Sequence, residues 1–122
     1  NVILTPHIGG STQEAQVNIG SEVSESLDLY LSKGQTTGAV GFPNLHPPFK
    51  IRGKRLVNIH RNVPGVLGDI NSIVSQAGIN INSQLLSTDS DIGYLVMDIE
   101  AGFDEAFEKI KDLPTNIKTH LL

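Results

Sequence analysis

The sequence contains no cysteine and no tryptophan, a single methionine, and only 5% aromatic residues. Without cysteine there can be no disulfide, thiolate nucleophile or Cys-bearing metal site, and the composition suits a reducing, cytoplasmic setting. Basic residues are also few. Nine Lys+Arg stand against 13 Asp+Glu, a formal net charge of −4, which excludes a basic nucleic-acid-binding domain. No apolar run approaches the roughly 20 residues that a bilayer-spanning helix needs, and no charged-then-apolar opening marks a secretory signal. The histidines His7, His46, His60 and His120 show no metal-ligand spacing, so no metal site is expected. The lone methionine is Met97, so Asn1 is not expected to be a translation start, and the chain is expected to be a piece of something longer. What is present, 39% hydrophobic and 18% charged residues, is the composition of an ordinary globular protein.

The apolar run Val2-Ile3-Leu4, turning at Thr5-Pro6, reads as the end of a buried strand. A loop follows at His7-Ile8-Gly9-Gly10. Ser11 stands three residues before Glu14, the spacing of a capping box, so a helix is expected to start there. Ala15, Ile19, Val23, Leu27 and Leu31 recur every fourth residue and Gly34 supplies the stop, leaving one apolar face that the short Ala39-Phe42 run cannot cover. The partner of that face is expected in a missing segment or another chain. The stretch 43–54, with Pro43, Pro47 and Pro48, reads as a linker between an N-terminal region, 1–42, and a second unit, 55–122.

In the second unit the pattern becomes regular. A strand over Leu56–His60 is broken by Asn62-Val63-Pro64-Gly65, and a helix follows with Val66, Leu67, Ile70, Ile73, Val74 and Ala77 on one face. Strands from Ile79 to about Thr88 and from Ile92 to Glu100 flank the polar turn Asp89-Ser90-Asp91. A second helix carries Phe103, Ala106, Phe107 and Ile110, Pro114 ends it, and a strand over Ile117–Leu122 closes the chain. The order βαββαβ predicts an α+β, ferredoxin-like fold: four antiparallel strands with both helices on one face. The other face is expected to meet water or a partner, and a unit of under about 70 residues is a size at which dimerisation often supplies missing burial.

Two segments resemble one family. Asn1-Val2-Ile3-Leu4-Thr5-Pro6-His7-Ile8-Gly9-Gly10-Ser11-Thr12-Gln13-Glu14-Ala15-Gln16 is similar to the end of the catalytic region of the D-3-phosphoglycerate dehydrogenases. Ile59-His60-Arg61-Asn62-Val63-Pro64-Gly65-Val66-Leu67, continued by Ala77-Gly78-Ile79-Asn80-Ile81, is similar to their C-terminal ACT domain, which binds L-serine. The connector Val40-Gly41-Phe42-Pro43 departs from the family's usual Val-Asn-Phe-Pro at Gly41. The resemblance implies a whole enzyme that oxidises 3-phosphoglycerate with NAD in serine synthesis and is inhibited by serine. It implies His7 as the catalytic acid/base, a role that suits an imidazole of pKa about 6.5. It also implies that His7, Ile8, Gly9 and Gly10 lie against the nicotinamide. No G-x-G-x-x-G occurs here, so this chain alone is expected to bind no cofactor and to be inactive.

An amino-acid zwitterion needs N–H donors for its carboxylate and acceptors for its ammonium, and serine adds a hydroxyl. Gly65 permits close backbone approach, and the amides of Val66 and Leu67 lie in a first helical turn, where unpaired N–H groups favour an anion. By the resemblance His60 and Asn62 contact the effector from one chain and Asn80 reaches it from a neighbour, in a homodimer formed through the ACT domains, with a tetramer open to the whole protein. Each residue has a plainer reading. Asn62 can be a helix cap, His60 a satisfied sheet histidine, and Asn80 and Asn82 polar positions on a solvated face. Phe103 and Phe107 read as core, and Asp89, Asp91, Asp98 and Glu100 as solvated turn and strand ends. A competing reading of the whole is an ACT module that serves oligomer assembly without ligand response. A ferredoxin-like RNA-binding domain is disfavoured by charge and by the scarcity of aromatics.

Overall fold

Thr12, rather than Ser11, begins the first helix. In the computed structural model, which describes residues 1–6, 8–49, 53–100 and 102–122, helix α1 spans Gln13–Lys33. The Thr12 hydroxyl accepts the N–H of Ala15 at 3.1 Å. Both hydroxyl residues suit a cap, and the helix starts one residue later than the Ser11-Glu14 spacing implies. At the other end Gly34 takes the left-handed conformation (φ 72°) and its N–H reaches the carbonyls of Leu29 and Tyr30, as the stop signal predicts. The apolar face of α1 is bare: Ile19 is exposed, and Val23, Leu27 and Leu31 are all more than half exposed. Val2, Ile3 and Leu4 form no strand and are exposed, because no described strand offers them a ladder.

The second unit follows the expected order. Strand β1 spans Lys54–Arg61, helix α2 Val66–Gln76, β2 Ile81–Thr88, β3 Ile92–Ile99, helix α3 Asp104–Lys111 and β4 Asn116–Leu121. The sheet order is β2-β3-β1-β4, and every neighbouring pair is antiparallel. Helices α2 and α3 pack on one face of the sheet, in one shared core. Their buried residues, Val66, Ile70 and Val74 of α2 and Ala106 and Ile110 of α3, pack with Phe103 on Leu56 of β1 and Leu95, Met97 and Ile99 of β3. Apart from Ala106, each such side chain contributes roughly 1.5–3 kcal/mol by leaving water.

The opposite face is covered at its centre by the chain's own connector. Val57, Tyr94 and Val96 form a second buried cluster against Phe42 and Leu45, with Phe42 edge-on to Tyr94 at 5.1 Å between ring centroids. The connector is itself folded: Thr36 and Leu45 close it, and Asn44 accepts from the Gly38 N–H while its amide donates to Ala39 and Phe42. Two polar side chains fasten it to the sheet. The Tyr94 hydroxyl donates to the Gly34 carbonyl at 2.7 Å, and burial pushes that phenol's pKa well up. Arg55, fully buried, grips Asp98 with two bonds of 2.7 Å and donates to the carbonyls of Lys33 (2.9 Å) and Pro48 (2.8 Å). The face expected to meet water or a partner is thus largely occupied, because Arg55 and Tyr94 carry donors that the carbonyls of Lys33, Gly34 and Pro48 satisfy.

Candidate functional site

Alternation along β1 sends Leu56, Asn58 and His60 to the helix-covered face. Two of the three are polar, and both are buried. His60 pairs with Gly93 across the β1–β3 ladder, and its ring lies directly over that glycine: a Cβ there would stand 2.1 Å from His60 Nε2. A glycine inside a strand is here the mark of a close approach. At the ring's other nitrogen, Nδ1 is 2.7 Å from Asn58 Oδ1. Asn58 Nδ2 donates to Thr119 Oγ1 (2.8 Å) and Asn116 Oδ1 (3.0 Å), Thr119 donates to the same Asn116 oxygen (2.7 Å), and Asn116 Nδ2 donates to the Lys111 carbonyl (2.9 Å). Burial holds the His60 pKa below its ordinary value, so the imidazole is neutral near pH 7.

Past His60 the chain turns into α2. Asn62 is not the helix cap: that position belongs to Gly65 (φ 96°), which has no side chain to offer the helix. Asn62 instead bonds across to the β2–β3 turn, its N–H donating to the Asp91 carbonyl at 2.8 Å and its amide to the Asp89 carbonyl at 2.6 Å. The turn is itself braced, since Asp89 accepts the N–H groups of Asp91 and Ile92, which hold its carboxyl below the usual range. The first-turn amides of α2, Val66 and Leu67 among them, therefore leave the helix end with no capping side chain from Gly65. The segment from His60 to Leu67 thus sets a neutral imidazole, an amide and a helix N-terminus side by side.

Asn80 lies elsewhere. Its carbonyl accepts from Glu100 N–H just before Ile81 pairs with Ile99, whereas His60 pairs with Gly93. Six residues of β3 separate the two positions, roughly 20 Å along the sheet. Within one chain, Asn80 and His60 do not meet. Of the loop ahead of α1, His7 is outside the described residues, while Ile8 and Gly9 are exposed and Gly10 half-buried. That loop stands at the far end of α1 from the sheet, about 30 Å away along a helix of this length. Among the described residues no three His, Cys, Asp or Glu side chains form a metal cluster, and no helix is long and apolar enough to cross a membrane.

The family model for the AHAS small subunit-like ACT domain matches residues 56–118. The chain belongs to the ACT-domain family. The crystal structure of the ACT domain from GTP pyrophosphokinase of Chlorobium tepidum shares its fold, with a TM-score of 0.51 at 15% identity over 57% of this chain and 95% of that one. Along its whole length the chain is similar to the C-terminal part of D-3-phosphoglycerate dehydrogenases. The protein of Escherichia coli K12 is 49% identical over 125 residues, and that of Dictyostelium discoideum 46% over 123. In both cases the match covers 100% of this chain and 30% of the relative, so the chain spans about a third of the proteins it resembles.

Three members of the ACT module's polar cluster escaped the reading of the sequence: Asn58, Asn116 and Thr119. A signal existed. Asn58 sits two residues from both Leu56 and His60, on the alternation that the sheet buries, and a polar residue there needs a partner. That the partners come from β4 is a matter of strand order, which periodicity does not reveal.

Proposed function

We propose that the chain is the regulatory C-terminal region of an NAD-dependent D-3-phosphoglycerate dehydrogenase, and that its ACT module binds L-serine at an interface between two copies for feedback inhibition. The observation that carries the proposal is the segment His60–Leu67, in which a neutral imidazole over Gly93, the Asn62 amide and the uncapped start of α2 follow one another along the chain. It sits in a chain similar over its full length to such enzymes. First-turn N–H groups suit the ligand's carboxylate, and His60 and Asn62 suit its polar end. Asn80 belongs to the same site only if a second copy, turned end for end, brings it there. On this reading the sites are shared between the two copies of a homodimer.

NAD chemistry is a property of the whole protein. The sequence has no glycine-rich dinucleotide turn, so the residues present do not fit the cofactor, and the chain alone is expected to turn over no faster than a His7→Ala control. Within the whole protein His7 serves as the acid/base and Ile8 to Gly10 border the nicotinamide. The setting is cytoplasmic. Strand β1 offers the route for regulation, since it carries His60 at one end and, at the other, Arg55 on the carbonyls of Lys33 and Pro48. A ligand that binds one arrangement of two modules better than another shifts that arrangement, and Arg55 passes the shift to α1.

Calorimetric titration of L-serine, with L-alanine and glycine as comparisons, tests the reading. Saturable, serine-selective heat is expected, and Asn62→Ala or Asn80→Ala alone abolishes it. Mixing the two variants restores one intact site per dimer if the site is shared. Absence of heat from a folded, dimeric chain refutes ligand sensing and favours the assembly-only module.

A further inference from the structure

Which nitrogen of His60 carries the proton decides whether the edge over Gly93 gives or accepts a hydrogen bond. The hydrogen bonds behind the ring settle it. They begin at the Lys111 carbonyl, which can only accept, and which takes the Nδ2 of Asn116. The Asn116 oxygen is therefore turned inward, where it accepts from Thr119 Oγ1 and from Asn58 Nδ2. Asn58 gives its other N–H to Thr119. What Asn58 has left to face His60 is Oδ1, 2.7 Å from Nδ1. An amide oxygen can only accept, so Nδ1 must be the protonated nitrogen.

We infer that Asn116, Thr119 and Asn58 form a positioning relay that holds His60 as the neutral Nδ1–H tautomer, so that Nε2 presents a lone pair to a hydroxyl or ammonium donor of the ligand. Burial of the ring opposes the imidazolium, which would present a donor on both sides. The arrangement orients a zwitterion: a carboxylate is repelled by the Nε2 lone pair and goes to the amides at the start of α2, leaving the donor end for His60. The identity of the ligand rests on the serine reading; the tautomer does not. The relay also ties recognition to the α3–β4 junction, since its anchor is the backbone of Lys111 at the end of α3.

Ring 15N and 13C chemical shifts of His60 in the labelled chain near pH 7.5 distinguish the two neutral tautomers and the imidazolium without any mutation. The Nδ1–H pattern is expected. Asn58→Leu removes the acceptor for Nδ1–H, so the ring is expected to shift toward Nε2–H and L-serine affinity to fall at least about tenfold. Thr119→Val keeps the shape at the relay's middle and is expected to weaken L-serine binding by a smaller factor, with a mixed tautomer pattern. An Nε2–H or imidazolium pattern in the unmodified chain overturns the relay. So does an unchanged tautomer, or L-serine affinity within about twofold, in an Asn58→Leu or Thr119→Val variant whose amide spectrum shows it folded. If the unmodified chain shows the Nδ1–H pattern but binds no L-serine, the serine reading fails while the tautomer assignment stands.

Discussion

Replacing Gly93 with alanine puts a methyl group where the His60 ring now lies. The added Cβ would be 2.1 Å from Nε2, 2.6 Å from Cε1 and 2.7 Å from Cδ2. An ordinary contact needs about 3.5 Å, so the ring must retreat by roughly 1.4 Å. It has no free space behind it, because Nδ1 is already 2.7 Å from Asn58 Oδ1. Two costs follow: overpacking, about 1–3 kcal/mol, and a displaced hydrogen bond that strands a buried oxygen, about 1–3 kcal/mol. Against them stands the lower chain entropy of unfolded alanine, about 0.4–1 kcal/mol. Gly93→Ala is therefore expected to destabilise the chain by about 2–4 kcal/mol. Urea unfolding followed by circular dichroism measures this, with Gly68→Ala as the contrast. Gly68 lies inside α2 with nothing within 4 Å of an added Cβ, and there alanine is expected to stabilise by about 0.5–1 kcal/mol. The decisive comparison repeats Gly93→Ala in a His60→Ala background, where the clash is gone and the cost is expected to vanish. An equal cost in both backgrounds would refute the packing of His60 on Gly93.

Arg55→Met leaves Asp98 buried and unpaired and frees the Lys33 and Pro48 carbonyls, so a loss of about 3–5 kcal/mol is expected, with faster hydrogen exchange over 34–48. Unchanged exchange there would show that the connector holds without the guanidinium. Tyr94→Phe keeps the ring on Phe42 but strips the donor from the Gly34 carbonyl, a loss of about 1–2 kcal/mol by the same urea assay. Burial lowers the pKa of both His60 and His120, the latter with help from Lys118. Below the ordinary value of 6.5 the unfolded chain then takes up protons that the folded chain refuses, so stability is full above that pH and is lost as pH falls through the folded values. The melting temperature is expected to drop between about pH 7 and pH 5, and a flat profile in that window would contradict the two shifts.

The βαββαβ order and the two helix faces were legible because period-2 and period-3.6 patterns are local and core positions obey them. The end of α1 was legible for a similar reason: Gly34 occupies a left-handed position whose need for glycine is local. The proposed effector segment could be read as a string of residues, since His60, Asn62 and Gly65–Leu67 are neighbours in the chain. Their roles within it could not. Asn62 suits a cap by residue type, and only the fold shows one of its amide N–H groups donated to the β2–β3 turn.

By itself, then, the sequence determined the class of fold and the succession of elements, and it holds within a few residues the segment proposed for recognition. All of these follow from rules that act over a few residues. Tertiary structure decided what depends on contacts between distant positions. It laid 34–48 across the open sheet face, because Arg55 and Tyr94 each satisfy a donor on a connector carbonyl more than five residues away. It ran the His60 relay through β4, and it separated Asn80 from His60 by the length of the sheet. Pairing of strands and burial of polar groups are long-range solutions to desolvation, and residue spacing along a chain carries no record of which distant group supplies the partner.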